Sequence, residues 1–289
     1  MSFLSKFCFL ILFSILPSVL FSKDTIYWYH PIFPPINIVH GEYKEKGILD
    51  NINTKIFSHL KEYKHQKVIA NFKRTIQSIA QKKNVCASGL LWNKLRATHV
   101  EFSVAHSLSQ LLSLIIKKEN LYKYETYKTS EGTYKLENIL KDNSLFLGYS
   151  LGRAYSKNID AILQKYISKG NSIGIGQHTV LKALLQMLHK GRIDYTIGYS
   201  YEMSYVASEF NLKSSYISLP IHNANELIPV YVGCPKNDWG KNIIKKLNPY
   251  ILKNRLSKKF YSSSLRWMQI KDIKKFPSKI KLYFNKLKK

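Results

Sequence analysis

Acid is what this sequence has least of relative to base. Only 18 Asp and Glu stand against 45 Lys and Arg in 289 residues, giving a formal net charge of +27. Cysteine is scarce too, with three in all, so a disulfide-dense scaffold is excluded. After residue 22 no stretch is apolar enough to span a bilayer. The chain has no HExxH, no GxSxG and no P-loop, and no Cys or His pair at zinc spacing. "SIGIGQH" (172–178) carries two glycines and lacks the third of a dinucleotide turn. The nine histidines are scattered, none at metal-ligand spacing with another His or Cys on one element. These absences argue against the common hydrolase, nucleotide-binding and metalloenzyme classes. No cofactor and no metal ligand are expected. The aromatic signatures of RNA-binding modules are also missing, so no specific nucleic-acid partner is expected.

Hydrophobic residues make up 45% of the chain, enough for a packed core. The first 22 residues stand apart from it. Lys6 precedes an apolar run from Phe7 to Phe21, broken by Pro17, and Ser22 precedes a charged start. That pattern reads as a secretory signal peptide cut near Ser22, with an N-terminal membrane anchor as the alternative. A periplasmic or secreted protein follows. Cys8 lies inside the run, so export would leave Cys86 and Cys234. They either join in a disulfide or remain separate buried thiols. Between Lys241 and Lys289 sixteen Lys or Arg meet one acid, Asp272. Such an end suits an anionic polymer or membrane, or it is the solvated face of a chain rich in lysine throughout.

Residue patterning gives an α/β rhythm. "TIYWYH" (25–30) reads as a strand and the prolines of "PIFPPINIV" (31–39) as an extended loop. Ile48, Ile52, Ile56, Phe57 and Leu60 make a helical stripe. "KVIANF" (67–72) reads as a second strand that ends at Phe72, "RTIQSIAQKK" (74–83) as a helix, and "VCASGLL" (85–91) as a central strand. The rhythm restarts with strands at 110–118 and 144–153, a helix at 158–167 and a strand at 172–176. In "TVLKALLQMLHKGRIDYTIGY" (179–199), Thr179 is the expected N-cap and Val180, Leu181, Leu184, Leu185 and Leu188 the apolar face, with Gly191 closing the helix before a strand. "ELIPVYVGC" (226–234) reads as a strand, and Ile243, Ile244, Leu247 and Ile251 as the inner face of a helix through Pro249. The helix–turn–strand unit occurs in both halves, which suggests two similar lobes.

Arg96 raises the functional question. It stands in "SGLLWNKLRATHVEFSVAH" (88–106), between apolar segments and six residues before Phe102-Ser103. Three roles are open to it: a salt bridge with Glu101 or another acid, a solvated loop residue, or a clamp for an anion. Arg96 with Ser88, Phe102 and Ser103, the Pro-Pro loop, the glycine turn of "SLFLGYSLGRAYSKNIDAIL" (144–163) and "GRID" (191–194) together resemble the type II periplasmic solute-binding proteins of family 3, the amino-acid-binding class. The likeness covers about 25–262 and points to a divergent subgroup.

The resemblance implies an α/β fold of two lobes, each a mostly parallel sheet flanked by helices. Its expected boundaries are 23–107 for the first part of lobe 1, 108–218 for lobe 2, 219–262 for the return to lobe 1, and 263–289 for a basic tail. It implies no enzyme but a monomer that captures a small solute between the lobes for a permease or sensor. Arg96 would hold a carboxylate, with the Ser88 hydroxyl and Gly89 amide beside it. Phe33 and Phe72 would sandwich the solute or belong to the core, and Trp92 would cover it. The family's aspartate for an ammonium group is replaced here by Tyr199; Glu202, three residues on, substitutes only if the loop bends. Arg153 in the glycine turn would add positive potential. The expected solute is therefore an acid without that amine, or a peptide or sugar fragment, or there is no small solute at all; an anionic solute with two anionic groups is the specific hypothesis. Two alternatives remain. One is a binding fold turned dehydratase or lyase, with Glu202 and Asp194 as its candidate carboxylates. The other is a basic envelope protein.

Overall fold

The computed structural model describes residues 23–286 except 168–169, 178, 225–226, 266, 268–273 and 275. The expected signal peptide and its cut near Ser22 lie outside the described residues, as does His178.

The first sheet grows by helical crossovers. Strand β1 (Thr25–His30) leads to helix α1 (Ile48–His59), β2 (Lys64–Ile69), α2 (Phe72–Gln81) and β3 (Val85–Leu90). Strands β2, β1 and β3 lie side by side and parallel. A parallel neighbour requires a long return path, which the helices supply. Helix α1 buries Leu49, Ile52 and Ile56, the stripe expected from its periodicity. Beyond β3 the order is β11 (Ile228–Pro235) then β4 (Val100–Phe102), and β5 (Ser107–Ser109) also pairs with β11.

The second sheet repeats the scheme. Strands β7 (Leu147–Ser150), β8 (Ser172–Ile175) and β9 (Tyr195–Tyr199) are parallel, with crossovers through α4 (Lys157–Tyr166) and α5 (Val180–His189). Strand β6 (Leu112–Lys117) runs antiparallel to β9, and β10 (Tyr216–Pro220) antiparallel to β6. The full order is β10-β6-β9-β7-β8. Both sheets are therefore mixed, and in each a single strand, β11 in the first and β6 in the second, runs against all the others. The strands that carry the chain between lobes, β6 outward and β11 back, enter from the far side and must run against their neighbours. The crossings fall after Ser109 and after Pro220.

Helix α5 follows its sequence closely. All five expected apolar residues are buried. Gly191, at φ +68°, closes the helix. Its amide bonds Leu188 O at 3.1 Å and the Arg192 amide bonds Met187 O at 2.9 Å, the paired closure of a left-handed C-terminal residue. Thr179 stands at the N-cap position but its side chain makes no capping bond.

Elsewhere the structure departs from the expectation. The Pro-Pro segment is a tight turn rather than an extended loop, closed by a bridge between Phe33 and Asn37. Strand β2 stops at Ile69, and Phe72 opens α2 instead of ending a strand. The cause is Asn71, whose side chain accepts the Arg74 amide at 2.8 Å and caps the helix two residues earlier than periodicity suggests. A 3-10 stretch at Lys118–Tyr127, the short helix α3 (Leu136–Lys141) and helix α6 (Ser200–Ser208) were not anticipated.

Cys86 in β3 and Cys234 in β11 form a disulfide across neighbouring strands, spanning 148 residues of sequence. It joins the first part of lobe 1 to its returning segment. The chain-entropy argument gives a loop of that length about 5 kcal/mol of stabilisation, an upper figure. Helix α7 (Asp238–Asn254) continues through Pro249 and buries Ile243, Ile244, Leu247 and Ile251. Helix α8 (Lys258–Leu265) follows. The last helix, Phe276–Lys286, presses Phe276, Ile280 and Phe284 onto Ala105 and Leu108. That part of the basic end is packed, with the Arg255 guanidinium 4.1 Å from the centre of the Phe284 ring. No helix of the described residues is long and apolar enough to cross a membrane.

Candidate functional site

In sheets of this kind the carboxyl ends of the parallel strands leave a crevice where helices begin and loops diverge. Here two such edges face each other. Lobe 1 contributes the Phe33 turn after β1, Phe72 after β2, and Gly89 to Arg96 after β3. Lobe 2 contributes the turn 151–153 after β7 and Tyr199 to Glu202 after β9. Between them lies a cavity with about 60 Å³ of solvent space. A second cavity of about 230 Å³ lies between the Phe33 turn and α5 and α6. Arg153, Phe33 and Phe72 line both.

The lobes are closed on each other. Gly152 shows how tightly: at φ +76° it lies so near Lys73 that an added Cβ would come within 2.6 Å of the Lys73 backbone. Only glycine suits both the conformation and the approach. The Asn71 side chain, in lobe 1, also donates to Gly176 O in lobe 2.

Arg96 opens a short 3-10 turn, Arg96–Thr98, whose first amide is held by Asn93 Oδ1 at 2.8 Å. Its guanidinium is buried and reaches across the cleft. Nη1 donates to Leu91 O at 2.9 Å and Nη2 to Gly152 O at 2.6 Å. These bonds use two of its five N–H donors. Among the described residues no carboxylate lies within ion-pair distance of it. Glu101, the acid nearest in sequence, sits in β4 opposite Cys234. Burial lowers the Arg96 pKa to about 10, with Asp160 attracting the charge from farther away. The group therefore stays a cation at neutral pH.

Arg153 is the opposite case. Its Nη1 and Nη2 donate to Glu202 Oε1 and Oε2 at 3.2 and 3.0 Å, and the two side chains are only 6% and 2% exposed. Four rings surround the guanidinium carbon: Phe33 at 4.7 Å, Tyr155 at 5.2 Å, Tyr199 at 5.3 Å and Phe72 at 5.8 Å. Burial works against this cation, but the Glu202 carboxylate and the phenols of Tyr155 and Tyr199 more than offset it, and its pKa rises. For Glu202 burial dominates over Arg153 and raises the carboxyl. The expectation that Arg153 adds uncompensated positive potential is thus corrected, and with it the second cation for a doubly anionic solute. Its charge is matched by Glu202, which does reach the cleft. The reason is local: Glu202 is the third residue of α6 and folds back to accept the Tyr199 amide at 3.3 Å. That contact is the acidic half of a capping box, with Tyr199 in place of the usual Ser or Thr at the N-cap.

The other expected site residues divide. Gly89, at φ +82°, lines the cleft, and a Cβ there would meet Leu49 Cδ1 at 2.2 Å. Ser88 is buried just behind it, its hydroxyl donating to Asn53 Oδ1 of α1, and it lines a small cavity that Arg96 shares. Phe33 and Phe72 meet edge to face at 5.3 Å. Tyr199 stacks on Tyr201 at 5.1 Å. Trp92 does not cover the cleft: it is 47% exposed and lines none of the described cavities. The turn that buries Arg96 points Trp92 outward. Ser109 at the end of β5 and Tyr201 in the first turn of α6 line the cleft, and Tyr155 packs on Arg153; no sequence pattern marks these three residues. Asp194 is held at the start of β9, accepting Lys123 Nζ at 3.2 Å and the Phe146 amide at 3.0 Å, a structural duty away from the cleft. Among the described residues no group of three or more His, Cys, Asp or Glu could hold a metal ion.

No family model and no curated protein matches this chain. Solved structures do. A histidine kinase sensor domain with similarity to periplasmic binding proteins superposes with a TM-score of 0.64 at 10% identity, covering 85% of this chain and 96% of the other. An ancestral arginine-binding protein bound to arginine gives 0.64 at 15% identity, covering 86% and 99%. A substrate-binding protein of an ABC uptake transporter from Streptococcus pneumoniae, with bound histidine, gives 0.63 at 16%, covering 85% and 92%. At such identities the likeness concerns the fold. The chain has the two-lobed α/β fold of periplasmic binding proteins, and these three neighbours are binding or sensor proteins.

Proposed function

We propose that this chain is an exported solute-binding protein that captures a small carboxylate-bearing solute between its lobes and presents it to a membrane permease or a sensor. The observation that supports this reading most is Arg96. A buried cation that Asp160 attracts only from beyond ion-pair distance is costly. A carboxylate guest removes that cost, because a guanidinium with unused donors matches its planar oxygen pair. The position agrees, at strand ends on the face between two lobes. The fold agrees as well, since it is shared with solute-binding proteins and a sensor domain.

With Arg153 already paired to Glu202, one anionic group suffices. Glu202, the carboxylate beside Tyr199, is held by Arg153 and is not free for an ammonium on the solute. The solute class is a small monocarboxylate with an apolar body that suits Phe33, Phe72 and Leu108. The contracted cavity means that entry follows opening of the lobes. The same arrangement favours a binding role over a dehydratase or lyase, because Glu202 is held by Arg153.

A thermal-shift screen of the full chain against small monocarboxylates, dicarboxylates and amino acids tests this, repeated with Arg96→Met. The expected result is a saturable rise in Tm with a monocarboxylate that the variant loses. Equal shifts in both proteins, or a preference for zwitterionic amino acids, defeats it.

A further inference from the structure

Four aromatic rings and a carboxylate arranged about one point are the chemistry of a cation receptor. In this chain that receptor is built from both lobes: Phe33 and Phe72 come from lobe 1, and Tyr155, Tyr199 and Glu202 from lobe 2. The point they surround is occupied by Arg153, which also belongs to lobe 2. We propose that this is a guanidinium-binding site which the protein fills with its own side chain, a ligand held in cis that keeps organic cations out of the cleft.

Several observations bear on this. An arginine that merely neutralised Glu202 would need one carboxylate and no cage. Here all four rings lie within 5.8 Å of the guanidinium carbon. The fork engages both carboxylate oxygens, at 3.0 and 3.2 Å, which is the bidentate geometry by which a carboxylate selects a guanidinium over an ammonium. The group also forms the wall between the two cavities, lining both. Removing it would join them and leave Glu202 facing an aromatic pocket large enough for a small planar cation. The backbone supplies the tether. Gly152 lets the turn 151–153 press against Lys73, so the side chain enters from a fixed point at the cleft edge. A tethered group competes with any free cation at high effective concentration. The filled site therefore works as a selectivity device. It also draws lobe 2 onto the two lobe 1 phenylalanines, adding to closure.

Chemical complementation tests the inference. Arg153→Ala is titrated with methylguanidinium chloride at millimolar concentration, with urea and potassium chloride as controls of shape and ionic strength. The expected result is a saturable rise in Tm with methylguanidinium alone, absent from the parent. Adding Glu202→Gln should weaken that response by roughly tenfold to a hundredfold, the loss expected for a charge-assisted pair. No selective response to methylguanidinium, an equal response to urea, or a response untouched by Glu202→Gln overturns it. If Arg153→Ala does not accumulate folded, it and Arg153→Gln are refolded from urea with methylguanidinium or potassium chloride. Recovery that depends on methylguanidinium supports the cage, and equal recovery overturns it. This response is read whether or not any acid binds at Arg96, so the two ideas fail separately.

Discussion

Two arginines face each other across this cleft, and their difference explains the site. Both are buried, both touch the opposite lobe, and both stand at the carboxyl ends of parallel strands. Arg153 has a carboxylate at 3.0 Å and four rings about it. Arg96 has two carbonyls. A guanidinium cannot shed its charge at neutral pH, so burial must be answered by a partner. Arg153 has its partner within the chain. Arg153 forms a structural pair inside the closed cleft; Arg96 is the group to which the proposed function assigns a guest.

The strongest way to break this comparison is to make Arg153 resemble Arg96. Removing Glu202 with Glu202→Ala strands a buried cation, and Arg153→Ala strands a buried carboxylate. Each should cost about 3–5 kcal/mol in urea unfolding. Replacing both together, with Arg153→Met and Glu202→Leu, should recover most of that loss, because no charge is left unpaired.

A third buried nitrogen base sharpens the contrast, because it can lose its proton. His106 is fully buried and shares a small cavity with Arg255 and Phe284 beneath the last helix. Burial lowers its pKa to about 4. The unfolded chain protonates His106 near the ordinary value of about 6.5, while the folded chain resists until about 4. Its contribution is therefore fully present above about pH 6.5 and is lost as pH falls through that window. The loss should reach about 3 kcal/mol. His30, also lowered by burial, acts in the same direction. Unfolding curves between pH 7 and 4 check this, and His106→Leu should flatten the slope.

Arg96 itself should matter little to the empty protein. Arg96→Met removes an unpaired charge but frees two carbonyls. The opposing effects leave a change of less than about 2 kcal/mol, of either sign. A larger loss would place Arg96 with Arg153 as a structural group. Smallest of all is Trp92→Ala. The ring is half exposed and off the cleft, so stability should move by no more than about 0.5 kcal/mol and any response to acids should stay unchanged. A lost response would bring Trp92 back over the guest.

The segments that were legible in advance share a property: their signal lies within one or two turns of chain. The α5 face and its Gly191 closure, the α1 stripe and the inner face of α7 all came from spacing alone. Arg96 was singled out by the oddity of a charge between apolar segments. Phe72 was misplaced because a single capping bond from Asn71 outweighed a strand-like run. Trp92 was misplaced because a short 3-10 turn decides which side of the loop meets solvent. The Arg153–Glu202 pair joins residues 49 positions apart, beyond the reach of any local pattern.

The amino-acid order alone determined the α/β rhythm and the helical faces, because burial of one face imposes a periodicity that local sequence must carry. Which cation is paired with a carboxylate of the chain and which is held by carbonyls alone was decided only when the lobes met. Charge pairing depends on distance in space, and distance in space is a property of the closed fold.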